Sequence, residues 1–280
     1  MFTTTAFLFS VVTILILLHL SIVIDSLSLQ QGQKPGNNSS PIIIKKNNRN
    51  NNDDATSRRS VLKYSLLFSL PSYDRKPANA LSPSEASIDY DRYAKNYDSL
   101  DGDETVSSLL GIDDARMRLF GKAKGKVLEV GVGTGLNLAK YNPDLVSDLT
   151  VVDISDGMIK EARARSSKKK NNNFPIHFIK ADATTELTQL FGVDGTFDTV
   201  VDSFSLCVMG DEGARNCLEQ MSNVLKRKDG KLLLLENSRS SNEFLGWYQD
   251  RTAPMAASMG GKGCVYNQNV AAMIKRVNPK

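Results

Sequence analysis

Three glycines at alternate positions, Gly131, Gly133 and Gly135, directly follow the apolar run Val127-Leu128-Glu129-Val130. Glycine lets a chain turn sharply out of a strand and lets a ligand lie against bare backbone. The spacing is G-x-G-x-G, and Leu136 stands where the dinucleotide fingerprint G-x-G-x-x-G would have its third glycine. Asp153 ends the next apolar run, where a carboxylate can accept both hydroxyls of a ribose in a charge-assisted pair of hydrogen bonds. The competing role, a helix cap, is already served by Ser155 and Asp156. Asp182 ends a third run, at Lys180-Ala181-Asp182-Ala183, and suits the exocyclic amine of a purine; a plain turn aspartate is its alternative. Met158, one turn into the segment after Asp153, could pack on a purine ring or serve as core.

These residues need a frame that delivers them to one edge, and the runs around them provide it. Lys126–Val132, Leu149–Ile154, Ile176–Ala181, Phe197–Phe204 and Leu232–Leu235 are short, rich in β-branched residues and continuously apolar, as strands covered on both faces should be. Amphipathic segments separate them. Ala214, Cys217, Leu218, Met221, Val224 and Leu225 form one helical stripe, stopped by Asp229-Gly230. Strand–helix alternation of this kind predicts an α/β fold, a doubly wound parallel sheet with helices on both faces. Upstream, Ser82-Pro83-Ser84-Glu85 is a capping box with proline at the first helical position, and a second helical stretch runs over 104–120. A further helix is expected at 269–277.

Composition excludes several alternatives. Apolar residues make up 41% and charged residues 24%, ordinary for a globular domain. The net charge of +4 is carried by the first 80 residues, with 9 Lys/Arg against 4 Asp/Glu; residues 81–280 carry 26 against 27. A neutral body lacks the positive field on which nucleic-acid binding depends. Cys207, Cys217 and Cys264 are too few and too irregular for a disulfide framework or a zinc site. His177 is the body's one histidine, mid-strand in Pro175-Ile176-His177-Phe178-Ile179, and reads as a core residue, so no metal site and no catalytic base are assigned.

Residues 1–80 read as a targeting leader. Residues 6–24 are almost unbroken in apolar character and just long enough to cross a hydrocarbon core, either as a signal peptide or as a retained transmembrane anchor. An Asn-rich stretch over 37–54 reads as a disordered linker. Arg58-Arg59 before a short apolar stretch, with Ala78-Asn79-Ala80 behind it, resembles a twin-arginine export signal with a small-x-small cleavage site. A secretory-type start ahead of such a signal resembles the tandem presequences of algal plastids. It points to a plastid or thylakoid destination or a membrane anchor, with the mitochondrion and the endoplasmic reticulum membrane left open.

Taken together, Glu129-x-Gly131-x-Gly133-x-Gly135, Asp153, Asp182-Ala183, Phe197–Phe204 and Asn223–Leu232 resemble the successive motifs of the class I S-adenosylmethionine-dependent methyltransferases. Asp91-Arg92-Tyr93-Ala94-Lys95-Asn96-Tyr97-Asp98 is similar to the lead-in of the small-molecule branch that includes the ubiquinone and menaquinone biosynthesis enzymes. Glu236–Ser240, Gly263-Cys264 and Tyr266-Asn267 are similar to membrane-associated methyltransferase-like proteins. The resemblance implies a methyltransferase domain over 81–280, with N-terminal helices at 82–120 and a Rossmann-like core at 126–280. It also implies S-adenosylmethionine as cofactor; the near-neutral body and the membrane-directed leader point to a small, lipophilic acceptor. Gly131, Gly133 and Gly135 would cradle the methionine part, Glu129 its amino group, Asp153 the ribose and Asp182 the adenine. Ser203 would border cofactor and substrate, and Tyr97 would help close the pocket, with simple helix packing as its alternative. Ile154, Met158 and Ala183 complete the expected cofactor-binding set.

One departure stands out. The family's sheet ends in an antiparallel hairpin after the fifth strand, and only five strands are legible here. With the order 3-2-1-4-5, Leu232–Leu235 would be an open edge, a liability for aggregation. Two other readings stay open at this point: an NAD-dependent oxidoreductase, against which the glycine spacing argues, and an inactive cofactor-binding or scaffold protein with an incomplete sheet.

Overall fold

The computed structural model describes residues 22–28, 81–100, 111–168, 174–193, 195–258 and 264–277. Six strands form one sheet: β1 (Ile22–Ser28), β2 (Gly125–Val130), β3 (Val146–Asp153), β4 (Ile176–Lys180), β5 (Thr199–Ser203) and β6 (Lys231–Asn237). Their order is β1-β6-β5-β2-β3-β4. The five legible strands are all parallel and stand in the expected 3-2-1-4-5 order.

The expected open edge is corrected. Beside β6 lies β1, antiparallel and in register from Ile22 opposite Asn237 to Ser28 opposite Lys231. The partner that fills the place of the family's hairpin comes from the leader, not from the tail beyond Ser238. Residues 22–24 also end the apolar run expected to cross a membrane, and here they lie in a strand; the rest of that run falls outside the described residues. Among the described residues, no helix is long and apolar enough to cross a membrane.

Eight helices surround the sheet among the described residues: α1 (Pro83–Tyr93), α2 (Tyr97–Leu100), α3 (Ile112–Phe120), α4 (Asp156–Lys168), α5 (Leu187–Phe191), α6 (Gly210–Val224), α7 (Glu243–Ser258) and α8 (Val270–Val277). Side chains alternate across each strand, so the continuous apolar runs supply two cores. Leu128, Val130, Val200, Leu232 and Leu234 meet Cys217, Leu218 and Met221 of α6 and Met273 and Ile274 of α8. Val127, Val151, Val201, Leu233 and Leu235 meet Leu119 and Phe120 of α3 and Ile159 and Ala162 of α4. Burying every strand on both faces is what continuous apolar character predicts, except at β4. That outer strand has one neighbour, and His177 on it is exposed, its Nε2 3.2 Å from Asp148 Oδ2. The expectation of a core histidine is therefore corrected: position in the sheet, not the local run, decides burial. One helix of the alternation is absent, since the link from β2 to β3 is made of turns.

Candidate functional site

The glycine turn leaves β2 at the carboxyl edge of the sheet, where open α/β folds place their ligands. Gly131, Gly133 and Gly135 all have positive φ, at 64°, 55° and 80°. Gly131 is glycine because of crowding: a Cβ there would lie 2.5 Å from Ser205 Cβ. Gly133 is glycine for a different reason. Among the described residues, a Cβ there would meet no atom within 4 Å beyond its chain neighbours, so the turn faces open space at that residue.

Asp153, at the end of β3, reaches this turn. Gly133 N–H donates to its Oδ2 (2.8 Å) and Ser155 N–H to its Oδ1 (3.0 Å). The Ile154 amide also bonds this carboxylate, which leaves part of its acceptor capacity for another donor. Protein packed around the carboxyl pushes its pKa up to about 6, against the pull of those amides.

Glu129, buried in β2, accepts from Asn137 Nδ2 (3.1 Å) and the Tyr141 hydroxyl (2.9 Å). Burial pushes its pKa up to about 7, and Asp202 adds to the push. Asn137 Nδ2 also donates to Ser203 Oγ (3.1 Å) at the end of β5, so one amide joins Glu129 and Ser203. Asn137 Oδ1 is buried with no hydrogen-bond partner among the described residues. An unsatisfied acceptor beside a buried carboxyl is a place where a cationic donor such as an ammonium would be welcome.

The N-terminal helices are tied to this edge by three polar side chains, Ser87, Asp91 and Asp98. Ser87 Oγ donates to the Ile154 carbonyl (3.1 Å). Asp91 Oδ1 accepts from Ser155 Oγ (2.5 Å) and Gly157 N–H (2.8 Å), placing a carboxylate at the start of α4. Helix starts favour negative charge, and the Ser155 bond, with the Gly157 amide, holds Asp91 below the usual carboxylate range. Asp98 accepts from Thr134 Oγ1 (2.6 Å) inside the glycine turn and pairs with Arg165 of α4. Tyr97 is half-buried, its ring 6.2 Å from that of Tyr90. Burial, with Tyr97, Cys207, Cys264 and Asp153 nearby, pushes the Tyr90 hydroxyl far above its usual range.

The structure thus brings Glu129, the three glycines, Asp153, Ile154 and Ser203 to one edge, with Tyr97 above it. Asp182 follows β4 at the same edge, where Ala181 N–H donates to the Asp153 carbonyl (3.0 Å). Its Oδ1 accepts from Thr184 N–H (2.8 Å) and Oγ1 (2.7 Å), the turn role weighed against purine binding. Ala183 is buried in the core between the sheet and α6, and Met158 is buried on the first turn of α4.

Sequence reasoning missed Asn137, Tyr141 and a buried carboxyl pair. Asp202 of β5 and Glu236 of β6 are fully buried; Glu236 Oε1 accepts from Ser205 N–H (2.8 Å) and Leu206 N–H (3.0 Å). Asp202 Oδ1 accepts from Ser205 Oγ. Burial and the neighbouring Asp202 push Glu236 well above the usual range, and burial raises Asp202 too.

Raised carboxyls make the fold pH-sensitive with a definite sign. A group whose pKa is higher folded than unfolded contributes stability below its unfolded value and loses it as pH rises through the folded one. For Glu129 that window runs from 4.5 to about 7, worth about 3 kcal/mol; Asp153 acts in the same direction from 3.8 to about 6. The ligand-free protein should therefore melt several degrees higher at pH 5 than at pH 8. Glu129→Gln should flatten the pH 5–8 slope in thermal unfolding.

Sheet order, glycine turn and strand-end carboxylates define the class: residues 127–228 form a methyltransferase domain, matched by the family model of that description, and the fold is that of the class I, S-adenosylmethionine-dependent methyltransferases. Among individual proteins, the chain is similar to the mitochondrial methyltransferase OMS1 of Saccharomyces cerevisiae, 26% identical over 196 residues, 66% of this chain and 40% of that protein. It is also similar to the phosphatidylethanolamine N-methyltransferase of Cereibacter sphaeroides, 34% identical over 137 residues, 45% of this chain and 64% of that enzyme. The chain thus spans less than two thirds of either relative. Of solved structures, the [4+2]-cyclase SpnF superposes with a TM-score of 0.51 at 17% identity, over 71% of this chain and 72% of that one. That likeness speaks for the fold alone.

The residues fit the cofactor of the class. The open face at Gly133, the remaining acceptor capacity of Asp153 and the unsatisfied Asn137 Oδ1 beside Glu129 offer a backbone cradle, a hydroxyl acceptor and an ammonium acceptor along one edge.

Proposed function

We propose that the protein transfers a methyl group from S-adenosylmethionine to a small, lipophilic acceptor at a membrane surface. The observation that carries the reading is the alignment of Gly133, Asp153 and the Glu129–Asn137–Ser203 cluster along one sheet edge. On this reading Asp153 takes the ribose hydroxyls, Glu129 and Asn137 Oδ1 the ammonium group, and Asp182 with Ile154, Met158 and Ala183 the adenine side. Tyr97 closes the pocket from above, and Ser203 borders the acceptor. The chemistry supplied by bound S-adenosylmethionine is a methyl group activated by positive sulfur. The chain's own task is then to orient the acceptor in line with that methyl and to exclude water. No side chain is assigned as a base.

The acceptor class and the membrane draw on separate features. Phe244 and Trp247 of α7 are exposed and stacked, 6.1 Å between ring centroids, with Arg251 over the Trp247 ring at 5.6 Å. Aromatic rings beside a cation suit the boundary between headgroups and acyl chains, and the apolar run at 6–24 would serve the same end. The bacterial relative is named for a phospholipid headgroup and the yeast relative for the mitochondrion. The leader at 1–80 we assign to organellar targeting, toward plastid, thylakoid or mitochondrion.

Calorimetric titration with S-adenosylhomocysteine and with NAD tests the cofactor, and transfer of labelled methyl to phospholipid vesicles or to a soluble acceptor panel tests the acceptor. Binding of NAD alone, or transfer confined to soluble acceptors, would overturn the corresponding half. Asp153→Ala should weaken S-adenosylhomocysteine binding about ten- to a hundredfold, the usual range for hydrogen bonds to a charged group. Unchanged affinity in a folded variant would remove Asp153 from the site.

A further inference from the structure

Of the three cysteines, Cys217 is packed in the core behind α6, but the other two meet. Cys207 lies in the 3-10 turn Leu206–Val208 just beyond β5, and Cys264 lies in the segment between α7 and α8. Val265 N–H donates to the Cys207 carbonyl at 2.8 Å. Covalent geometry then leaves the two α-carbons no more than roughly 7 Å apart, within or at the limit of the span a disulfide bridges. The two thiols lie close enough for Cys264 to push the Cys207 thiol up. Cys207 Sγ donates to the Phe204 carbonyl (3.6 Å), and Asn237 Nδ2 donates to Cys264 Sγ (3.8 Å). Cys207 is buried and Cys264 half-buried, so one sulfur of the pair has access to solvent.

We propose that Cys207 and Cys264 are a reversible disulfide site, oxidised by a small-molecule disulfide such as glutathione disulfide. The half-exposed Cys264, as its thiolate, attacks one sulfur of the oxidant, and one glutathione thiolate leaves. Cys207 then gives up its proton and attacks the Cys264 sulfur of the mixed disulfide, releasing the second glutathione. Two protein thiols lose two electrons and two protons, and one glutathione disulfide becomes two glutathiones. The order follows from the surroundings. The neighbouring Cys264 and burial push the Cys207 thiol well up, and its S–H donates to the Phe204 carbonyl, which suits the resolving rather than the attacking role.

The bond would matter to the site because of where it falls. The segment behind Cys264 is already strapped to the end of β6: Arg239 N–H donates to the Gln268 carbonyl (2.8 Å) and Ser238 Oγ to the same oxygen (3.2 Å). A covalent link to the turn after β5 would join the strand ends on that side of the pocket, beside Tyr90.

The test uses the full, reduced chain incubated with glutathione disulfide and read by intact mass and peptide mapping. The expected product is two hydrogens lighter, contains a peptide joining Cys207 to Cys264, keeps Cys217 free and reverts with dithiothreitol. Cys217→Ser should form the same bond. Cys207→Ser should stop at a glutathione adduct on Cys264, and Cys264→Ser should give no intramolecular bond. A wild-type chain that yields only the Cys264 adduct, a link to Cys217, or no reaction overturns the proposal. The readout is covalent mass, so loss of methyl transfer or of cofactor binding would not bear on it.

Discussion

Gly133→Ala should give a folded protein that no longer takes up its cofactor, whereas Gly131→Ala should fail to fold. Both residues sit at positive φ, where a side chain costs about 1–2 kcal/mol. They differ in what the new methyl meets. At position 133 it enters open space beside the amide bonded to Asp153, the space assigned above to the cofactor. Melting should fall by a few degrees and affinity for S-adenosylhomocysteine by about a hundredfold or more, since a methyl in the cradle pushes the ligand off its hydrogen bonds. At position 131 the methyl would overlap Ser205, which cannot retreat: its amide is bonded to Glu236 and its hydroxyl to Asp202, both fully buried. Overlap of that kind, added to the backbone strain, reaches the range above about 4 kcal/mol that can consume a domain's whole stability. Thermal unfolding and calorimetry on the two variants separate the cases. Normal affinity in Gly133→Ala would move the cofactor away from the turn.

Deleting residues 1–31 should make the protein self-associate more than the full chain does and melt at least several degrees lower. The deletion removes β1 and exposes the outer backbone groups of β6, whose core is Leu232–Leu235. An apolar strand with an unpaired edge is a template for pairing with another copy. A milder variant, Ile24→Pro with Ser26→Pro, should act in the same direction by breaking the ladder while keeping the length. Adding a peptide of the sequence Ile22–Ser28 to the deleted protein should reverse that self-association by strand addition. Light scattering and thermal unfolding decide it. A deleted protein that stays monodisperse, with unchanged melting, would show that β1 does not guard this edge.

What could be read in the sequence was whatever a single segment carries. Each parallel strand announced itself by a continuous apolar run, and the glycine turn and Asp153 by their place at the ends of two such runs. Whatever depends on two distant segments meeting was hidden. Asp202 looked like one more polar residue in Phe197–Phe204; only the β5–β6 register, with Asp202 opposite Leu234, puts it on the same face as Glu236 two residues further on. Asn137 sits in a turn with no periodicity to mark it, yet it joins β2 to β5. His177 misled because a run of apolar neighbours says nothing of whether its strand lies at a sheet edge. The strand Ile22–Ser28 begins in the last three residues of a run whose hydrophobicity suggested a membrane, and hydrophobicity alone does not tell lipid from an unoccupied sheet edge.

That last strand also sets a timetable. In β1 the first described residues of the chain pair with β6, about 200 residues later, so the sheet closes only when synthesis is nearly done. At ordinary elongation rates the leader waits roughly ten to forty seconds with its partner not yet made. During that wait it is an exposed apolar segment, open to any targeting factor that binds such segments. Any factor bound to Ile22–Ser28 during that wait would compete with β6 for the same seven residues, and a chain held in that way would keep its sheet unfinished.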